Sequence, residues 1–251
     1  MATTDDHVLA RDVAVEVGKL LVGLRAESAD EWPARLRAEG DRLAHLRILE
    51  ILHAARPDDA VLSEEGLDDR HRRLEAPRVW VVDPLDGTRE FGERGRIDWA
   101  VHIALVEAGV PTAGAVSLPA QGDVFATDVP PVVPPVGDRR LRVVTSRTHL
   151  PHLSYSVADA LDAELVPMGS AGAKAMAVVR GDVDVYAHAG GMYEWDSAAP
   201  AAVAASAGLH VSRVDGSPLR YNRPDPWLPD LLICRRELAD ACLEAATDAW
   251  W

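Results

Sequence analysis

Two acidic residues at the end of one apolar run constrain this chain more than any other feature. Residues 78–88 read RVWVVDPLDGT, in which four consecutive apolar side chains precede Asp83 and Asp86 follows three positions later. An apolar run of this kind is typical of a buried strand. Because Pro84 fixes its own φ and favours an extended residue before it, we predict that the strand ends at Asp83 and that residues 85–87 form a tight turn.

Both acids of this segment are predicted to face one pocket. Two ionised carboxylates held close together repel each other unless one is protonated or a cation lies between them. Oxygen-rich sites of this kind suit Mg²⁺. A structural interpretation is equally open, because Asp-Gly is a common turn signal and Thr88 is a plausible helix N-cap.

Two further acidic clusters lie at the ends of predicted elements. Glu64 and Glu65 come at the exit of the short apolar run AVLS, and Asp196 stands at the start of an alanine-rich predicted helix that ends at Gly208. Taken singly, the two glutamates are typical solvated loop acids and Asp196 is a typical helix cap. Since α/β proteins place functional sites at such ends, we predict that folding brings the three clusters together.

The order of the predicted elements indicates two packed halves. Helical periodicity covers residues 8–25 and 41–55, and short β-like runs between residues 98 and 127 are typical of an antiparallel meander. The stretch DVPPVVPPVGD, with four prolines in eleven residues, is the best candidate for a link. Beyond it, strands and helices alternate as they do in α/β units.

We therefore expect a layered sandwich of α+β and α/β character, with a boundary near residue 135. Residues 1–135 form the predicted N-terminal α+β half, which carries most of the acidic motifs. Residues 136–251 form the predicted C-terminal α/β half, which supplies Asp196 and the substrate contacts.

Charge and hydropathy exclude several classes of function. The chain has 26 Lys and Arg against 40 Asp and Glu, a net charge of -14, which argues against nonspecific binding to a nucleic acid polymer or an anionic membrane. No apolar run approaches the roughly 20 residues of a membrane helix, and the first residues lack the features of a signal peptide. We expect a cytoplasmic protein with a small-molecule partner.

Three short motifs, in this order and spacing, resemble the inositol monophosphatase superfamily of metal-dependent, lithium-sensitive phosphatases: SEE at residues 63–65, DPLDGT at 83–88 and WDSAAP at 195–200. With GSAGAKAM at residues 169–176, they look most like its CysQ branch, the 3'-phosphoadenosine 5'-phosphate phosphatases. The resemblance covers nearly the whole chain. It implies the layered carbohydrate phosphatase fold shared with fructose-1,6-bisphosphatase, and a homodimer.

The resemblance also assigns roles to single residues in a magnesium-dependent site. The implied ligands of two or three Mg²⁺ ions are the side chains of Glu64, Asp83, Asp86 and Asp196 and the backbone carbonyl of Leu85. Thr88 and Asp41 are assigned to orient and deprotonate the attacking water. Glu65 is assigned to contact the metal through a water molecule or to contact the residues that bind the metal. Metal ions in such a site activate water for direct attack, so no covalent intermediate is expected.

Substrate contacts are predicted on both sides of the cluster. Backbone N–H groups of Gly87 and Thr88 are placed to receive phosphate oxygens, while Ser170 and Lys174 open a predicted helix, where Lys174 is a candidate partner for a second phosphate. Asp196 also borders the substrate. The stretch HAGGMYEWD is placed beside the base, and Tyr193 is either a base contact or a packing residue.

The expected reaction removes the 3'-phosphate of 3'-phosphoadenosine 5'-phosphate or of its phosphosulfate, a step in sulfur assimilation. The nearest alternative is hydrolysis of inositol monophosphate or fructose 1,6-bisphosphate at the same metal site. Two alternatives from other classes remain, a metal-free glycosidase with paired carboxylates and a nucleotide-binding protein without turnover.

Overall fold

The chain alternates layers of helices with two five-stranded sheets. The computed structural model describes residues 2–28, 33–148 and 151–248. The elements before the proline-rich segment are α1 (Thr4–Glu27), α2 (Pro33–Ala55), β1 (Ala60–Ser63), α3 (Arg70–Glu75), β2 (Arg78–Asp86), α4 (Thr88–Gly92), β3 (Ala100–Glu107), β4 (Val110–Leu118) and β5 (Asp123–Ala126).

No helix or strand is formed in the fully described stretch between residues 126 and 142, which contains the proline-rich segment. The elements after it are β6 (Arg142–Ser146), α5 (His152–Ala160), β7 (Glu164–Met168), α6 (Ala171–Arg180), β8 (Val185–Tyr193), α7 (Glu194–Ser206), β9 (His210–Ser212), β10 (Trp227–Cys234) and α8 (Ala239–Asp248). A short 3₁₀ turn, Arg236–Leu238, precedes α8.

The first sheet has the strand order β1-β2-β3-β4-β5. Strands β1 and β2 are parallel, and β2 to β5 form the predicted antiparallel meander. The predicted end of β2 at Asp83 is wrong, because the strand continues to Asp86, which pairs with Ala100. The ladder shifts between Asp83 and Asp86, and such an irregularity accommodates Pro84, which has no N–H to donate.

The second sheet has the strand order β7-β6-β8-β10-β9. Strand β6 is parallel to β7 and β8, and β10 is antiparallel to β8 and β9. Helices α5 and α8 cover its outer face, while α1 and α2 cover the outer face of the first sheet. Helix α2 begins at Pro33 rather than near residue 41, since proline is well suited to a first helical position.

Helices α6 and α7 form the layer between the two sheets. They contact β3 and β4 on one side and β8 and β10 on the other, so one apolar core includes Val81, Met176, Val203 and Ile233. Small side chains allow this close packing, as a Cβ at Gly114 would lie 3.0 Å from that of Ala202. The start of α7 is thereby brought to the end of β2. The predicted division near residue 135 stays a prediction.

Within the described ranges, none of the helices combines the length and the apolar character that crossing a membrane requires.

Candidate metal centre

Three acids from two separate elements converge at one point. Asp83 and Asp86 lie at the end of β2, Asp196 lies in the first turn of α7, and one carboxylate oxygen of each lies within 4.8 Å of the others. The structure therefore brings two predicted acidic clusters that are more than 100 residues apart in sequence to within 4.8 Å of each other. A set of carboxylate oxygens at this separation is suited to a divalent cation.

Asp83 lies at the centre of the cluster and is almost completely buried. Its Oδ1 accepts the N–H of Leu85 at 3.0 Å, whereas its buried Oδ2 accepts no N–H or hydroxyl group of the described residues, and the Glu64 carboxyl group lies within hydrogen-bond range of Asp83. Burial and the charges of Glu64, Asp86 and Asp196 raise the pKa of Asp83 well above its usual value. A buried carboxylate oxygen without a donor is costly, and coordination of a cation would satisfy it.

Asp86 is held by several donors from the start of α6. Ser170 Oγ donates to its Oδ2 at 2.5 Å, and the backbone N–H groups of Gly172 and Ala171 lie at 2.6 and 3.1 Å. Burial by itself would raise the pKa of Asp86, but His102, Ser170 and Gly172 outweigh it and hold that pKa well below the usual range. This carboxylate stays ionised beside Asp83.

His102 is a site residue that the sequence analysis missed. The ring is fully buried, its Nδ1 donates to the carbonyl of Trp195 at 3.0 Å, and its Nε2 lies 3.2 Å from Asp86 Oδ2. Burial opposes its charge, yet Asp86 and the Trp195 carbonyl raise the pKa of His102 overall. The available signal was a single titratable residue inside the apolar run WAVHIALV.

Glu64 and Glu65 follow β1, as predicted, and reach the cluster from its side. Glu64 is an exposed residue, but its carboxyl group lies against Asp83, and loss of hydration there raises its pKa to about 7. Glu65 is close enough to Asp41 to disfavour its ionisation. Burial first and Glu65 second raise the pKa of Asp41 to about 6.

Thr88 connects Asp41 to the metal motif. Its Oγ1 lies 3.0 Å from the carbonyl of Leu85 and 3.2 Å from Asp41 Oδ1. The structural interpretation of Thr88 as an N-cap is wrong, because α4 begins at Thr88 and Gly87 is its cap, with a φ of 83°. A Cβ at Gly87 would lie 3.0 Å from Ser170 Cβ, so the turn packs directly on the start of α6.

Ser170 and Lys174 both line a cavity of about 410 Å³ beside the acids. The hydroxyl of Ser170 already bonds to Asp86 and accepts the N–H of Ala173 at 2.9 Å. Lys174 Nζ donates to the Ser170 carbonyl at 2.7 Å and lies 5.4 Å from the ring centre of Tyr186. The substrate roles predicted for both residues stay predictions.

Without metal, the protein is expected to lose several degrees of thermal stability between about pH 5 and about pH 8. Burial and Asp86 raise the pKa of Asp196 to about 7, whereas it lies near 4 in an unfolded chain; the pKa of Glu64 is also about 7, but the exposure of this residue to solvent reduces its contribution to stability. The folded state therefore holds more protons in this window. The stabilising contribution of these two groups is complete only below about pH 4, where the unfolded chain is also protonated, and it is lost progressively as the pH rises through their folded pKa values.

Thermal unfolding in EDTA at the two pH values measures this effect. Added Mg²⁺ should raise the melting temperature more at the higher pH, where the carboxylates repel. The double substitution Glu64→Gln and Asp196→Asn should flatten the pH dependence. A metal-free protein that is more stable at pH 8 than at pH 5 would contradict the prediction.

The sequence matches the family model for the inositol monophosphatase family over residues 13–129 and 137–249. It is 49% identical to a 3'-phosphoadenosine 5'-phosphate phosphatase of Mycobacterium leprae, over 99% of this chain and 96% of that protein. A protein of the same name from Mycobacterium tuberculosis is 53% identical over 94% of this chain and 91% of its own length.

Solved structures resemble the whole fold. CysQ from Bacteroides thetaiotaomicron has a TM-score of 0.77 and 29% sequence identity, covering 93% of this chain and 98% of that one. Inositol monophosphatase II from Staphylococcus aureus has a TM-score of 0.78 and covers 98% of both chains at 22% identity, which shows the fold alone.

Proposed function

This chain is a phosphatase of the inositol monophosphatase family, and from that premise we propose that it hydrolyses the 3'-phosphate of 3'-phosphoadenosine 5'-phosphate with the help of Mg²⁺. The observation that carries the proposal is the convergence of Asp83, Asp86 and Asp196, one of which has a buried oxygen without a donor. The substrate is taken from the names of relatives that match over nearly the full length.

The residues present suit a magnesium site. The donor set consists of oxygen atoms alone, from Asp83, Asp86, Asp196 and the neighbouring Glu64, with the Leu85 carbonyl as a further candidate. Bound divalent ions lower the pKa of water and neutralise phosphate oxygens. In this proposal, His102 and Ser170 keep Asp86 ionised and oriented toward the other acids.

Asp41 and Thr88 are proposed to handle the proton of the attacking water. With a pKa of about 6, Asp41 is mostly ionised at neutral pH and can accept a proton. The Thr88 hydroxyl, held by the Leu85 carbonyl and Asp41, would orient the water. Glu65 would favour this proton transfer, since its charge makes Asp41 the stronger base.

Lys174 supports a substrate that carries a second phosphate. Its ammonium is buried in the wall of the cavity that reaches Asp86 and Asp196. Burial lowers the pKa of Lys174, while the surrounding acids, Asp86 first, favour the charged form. A cation in the wall of this acidic site would attract an anionic group that the metal cluster does not hold.

The wider setting belongs to the same proposal. We place the enzyme in the cytoplasm and in sulfur assimilation, with the phosphosulfate as a further substrate, and we expect inhibition by lithium and assembly into a homodimer. The cytoplasmic location is the expectation stated in the sequence analysis, and the other four properties follow from the family resemblance.

A comparison of three substrates tests the proposal. With saturating Mg²⁺, kcat/KM for 3'-phosphoadenosine 5'-phosphate should exceed that for inositol 1-phosphate and for fructose 1,6-bisphosphate by about tenfold or more. Release of inorganic phosphate is the common readout. The substrate assignment fails if either sugar phosphate is the better substrate, and in that case the metal site still defines a phosphatase.

A further inference from the structure

Two half-exposed aromatic side chains are neighbours on adjacent strands of the second sheet, at the cavity beside the metal centre. Tyr193 ends β8 and Trp227 begins β10, and the two residues are direct partners in the antiparallel ladder. They are 46% and 44% exposed. Both line the cavity of about 410 Å³ that also contains Asp86 and Asp196, a volume in the usual range for small-molecule sites.

Both rings are held in place by their own neighbours. Tyr193 stacks on Trp195, with ring centres 4.7 Å apart and planes 9° from parallel. Trp227 packs on the backbone of Gly191, where an added Cβ would lie 2.5 Å from the indole Nε1. Aromatic rings that are already ordered lose little conformational entropy when a flat ligand stacks on them.

A bulge in β8 places Tyr193 on the side of the sheet that lines the cavity. Gly190 and Gly191 both have positive φ values, 102° and 92°, and they lie where the ladder shifts between Asp230 and Leu228 of β10. An extra residue resets the alternation of side chains, so His188 and Tyr193, five positions apart, line the same cavity. The Nε2 of His188 donates to the Gly191 carbonyl at 2.9 Å and fixes this turn.

We infer that Trp227 and Tyr193 form the stacking surface for the nucleobase, and that this pair selects a nucleotide over a sugar or inositol phosphate. The inference rests on the proposed function, because it assigns a place to the base of that substrate. Stacking needs only a flat aromatic face, so the pair distinguishes an aromatic base from an aliphatic ring. The phosphoester lies at the acids, which share the cavity with the two rings.

Substitutions at the two rings test the inference. Trp227→Ala and Tyr193→Ala should each weaken binding of adenosine 5'-monophosphate, measured by calorimetry with Mg²⁺, by about 5- to 100-fold. KM for 3'-phosphoadenosine 5'-phosphate should rise by a similar factor with a much smaller change in kcat, because the base lies away from the reacting bond. Trp227→Phe, which keeps a ring, should restore most of the affinity.

Tyr155→Ala is the matched control, since Tyr155 is 48% exposed and lies on α5, in the outer layer of the second sheet. It should leave nucleotide affinity unchanged. The decisive number is the ratio of kcat/KM for the nucleotide to that for ribose 5-phosphate. This ratio should fall in both alanine variants, whereas an equal loss on both substrates, or no loss, overturns the inference.

The substrate assignment and the stacking surface are tested by different measurements. If the wild-type protein prefers inositol 1-phosphate, the substrate assignment itself is wrong. If the wild-type protein prefers the nucleotide and the alanine variants keep that preference, the assignment stands and the stacking surface is wrong.

Discussion

Asp83→Asn is expected to lower kcat by about a thousandfold or more while the protein stays folded. Asp83 is the central acid of the cluster, next to Glu64, Asp86 and Asp196. An amide keeps the shape of the side chain but removes the charge that a divalent cation requires. Phosphate release from 3'-phosphoadenosine 5'-phosphate at saturating Mg²⁺ measures the loss.

Thermal unfolding of the same variant in EDTA separates a functional role from a structural one. The neighbouring acids and burial disfavour the ionised form of Asp83, so the metal-free variant should be as stable as the wild-type protein or more stable. Asp58→Asn, at an exposed acid between α2 and β1, is the control and should change neither property. Near-normal kcat in Asp83→Asn would refute the metal assignment, and a large loss of stability would favour a structural carboxylate.

Removal of divalent ions should abolish most of the turnover of the wild-type protein. After treatment with EDTA and desalting, activity should fall by about a hundredfold or more, and added Mg²⁺ should restore it. The physical reason is that the clustered carboxylates repel one another and that, without a cation, none of their oxygens activates water. Inhibition should vanish when the EDTA is saturated with Mg²⁺ beforehand.

Full activity after metal removal would point to a different chemistry. Two carboxylates acting as acid and base, as in a glycosidase, need no metal. The raised pKa values of Glu64 and Asp196 would then describe proton donors. Loss of activity on chelation, together with its recovery, excludes that interpretation.

The sequence was informative where function depends on local order. An apolar run, a proline and the acids at Asp83 and Asp86 were sufficient to predict a buried strand that carries both acids into one cluster, although the strand ends at Asp86 and not at Asp83 as predicted. The capping pattern before the alanine-rich helix placed Asp196 at its start, where its Oδ2 accepts the Tyr193 N–H at 2.6 Å. Capping residues act over a few positions, which is why the start of α7 could be predicted, whereas the end of β2 and the cap of α4 were predicted wrongly because they also depend on the neighbouring strand and on α6.

Features that depend on contacts between distant residues could not be predicted from the sequence. His102 on β3 reaches Asp86 only because the ladder between β2 and β3 is irregular at this point. It also packs on the start of α6, where an added Cβ at Gly172 would lie 2.0 Å from the His102 Nε2. The bulge at Gly190 and Gly191 depends on β10, which follows some 40 positions later. Such positions depend on how the sheets and helices pack. The periodicity of one element predicts which of its faces is buried, but not which distant residues contact that face.

The hydrogen bond between Tyr193 and Asp196 has a thermodynamic consequence. The residue inferred to stack on the base and the acid proposed to coordinate the cation are three positions apart and share one backbone N–H. This bond ties the Asp196 carboxylate to the backbone that carries the Tyr193 ring, so a ligand that fixes the position of one of them favours the bound position of the other. Linkage requires this coupling to be reciprocal, and nucleotide and Mg²⁺ should strengthen each other's binding by the same factor.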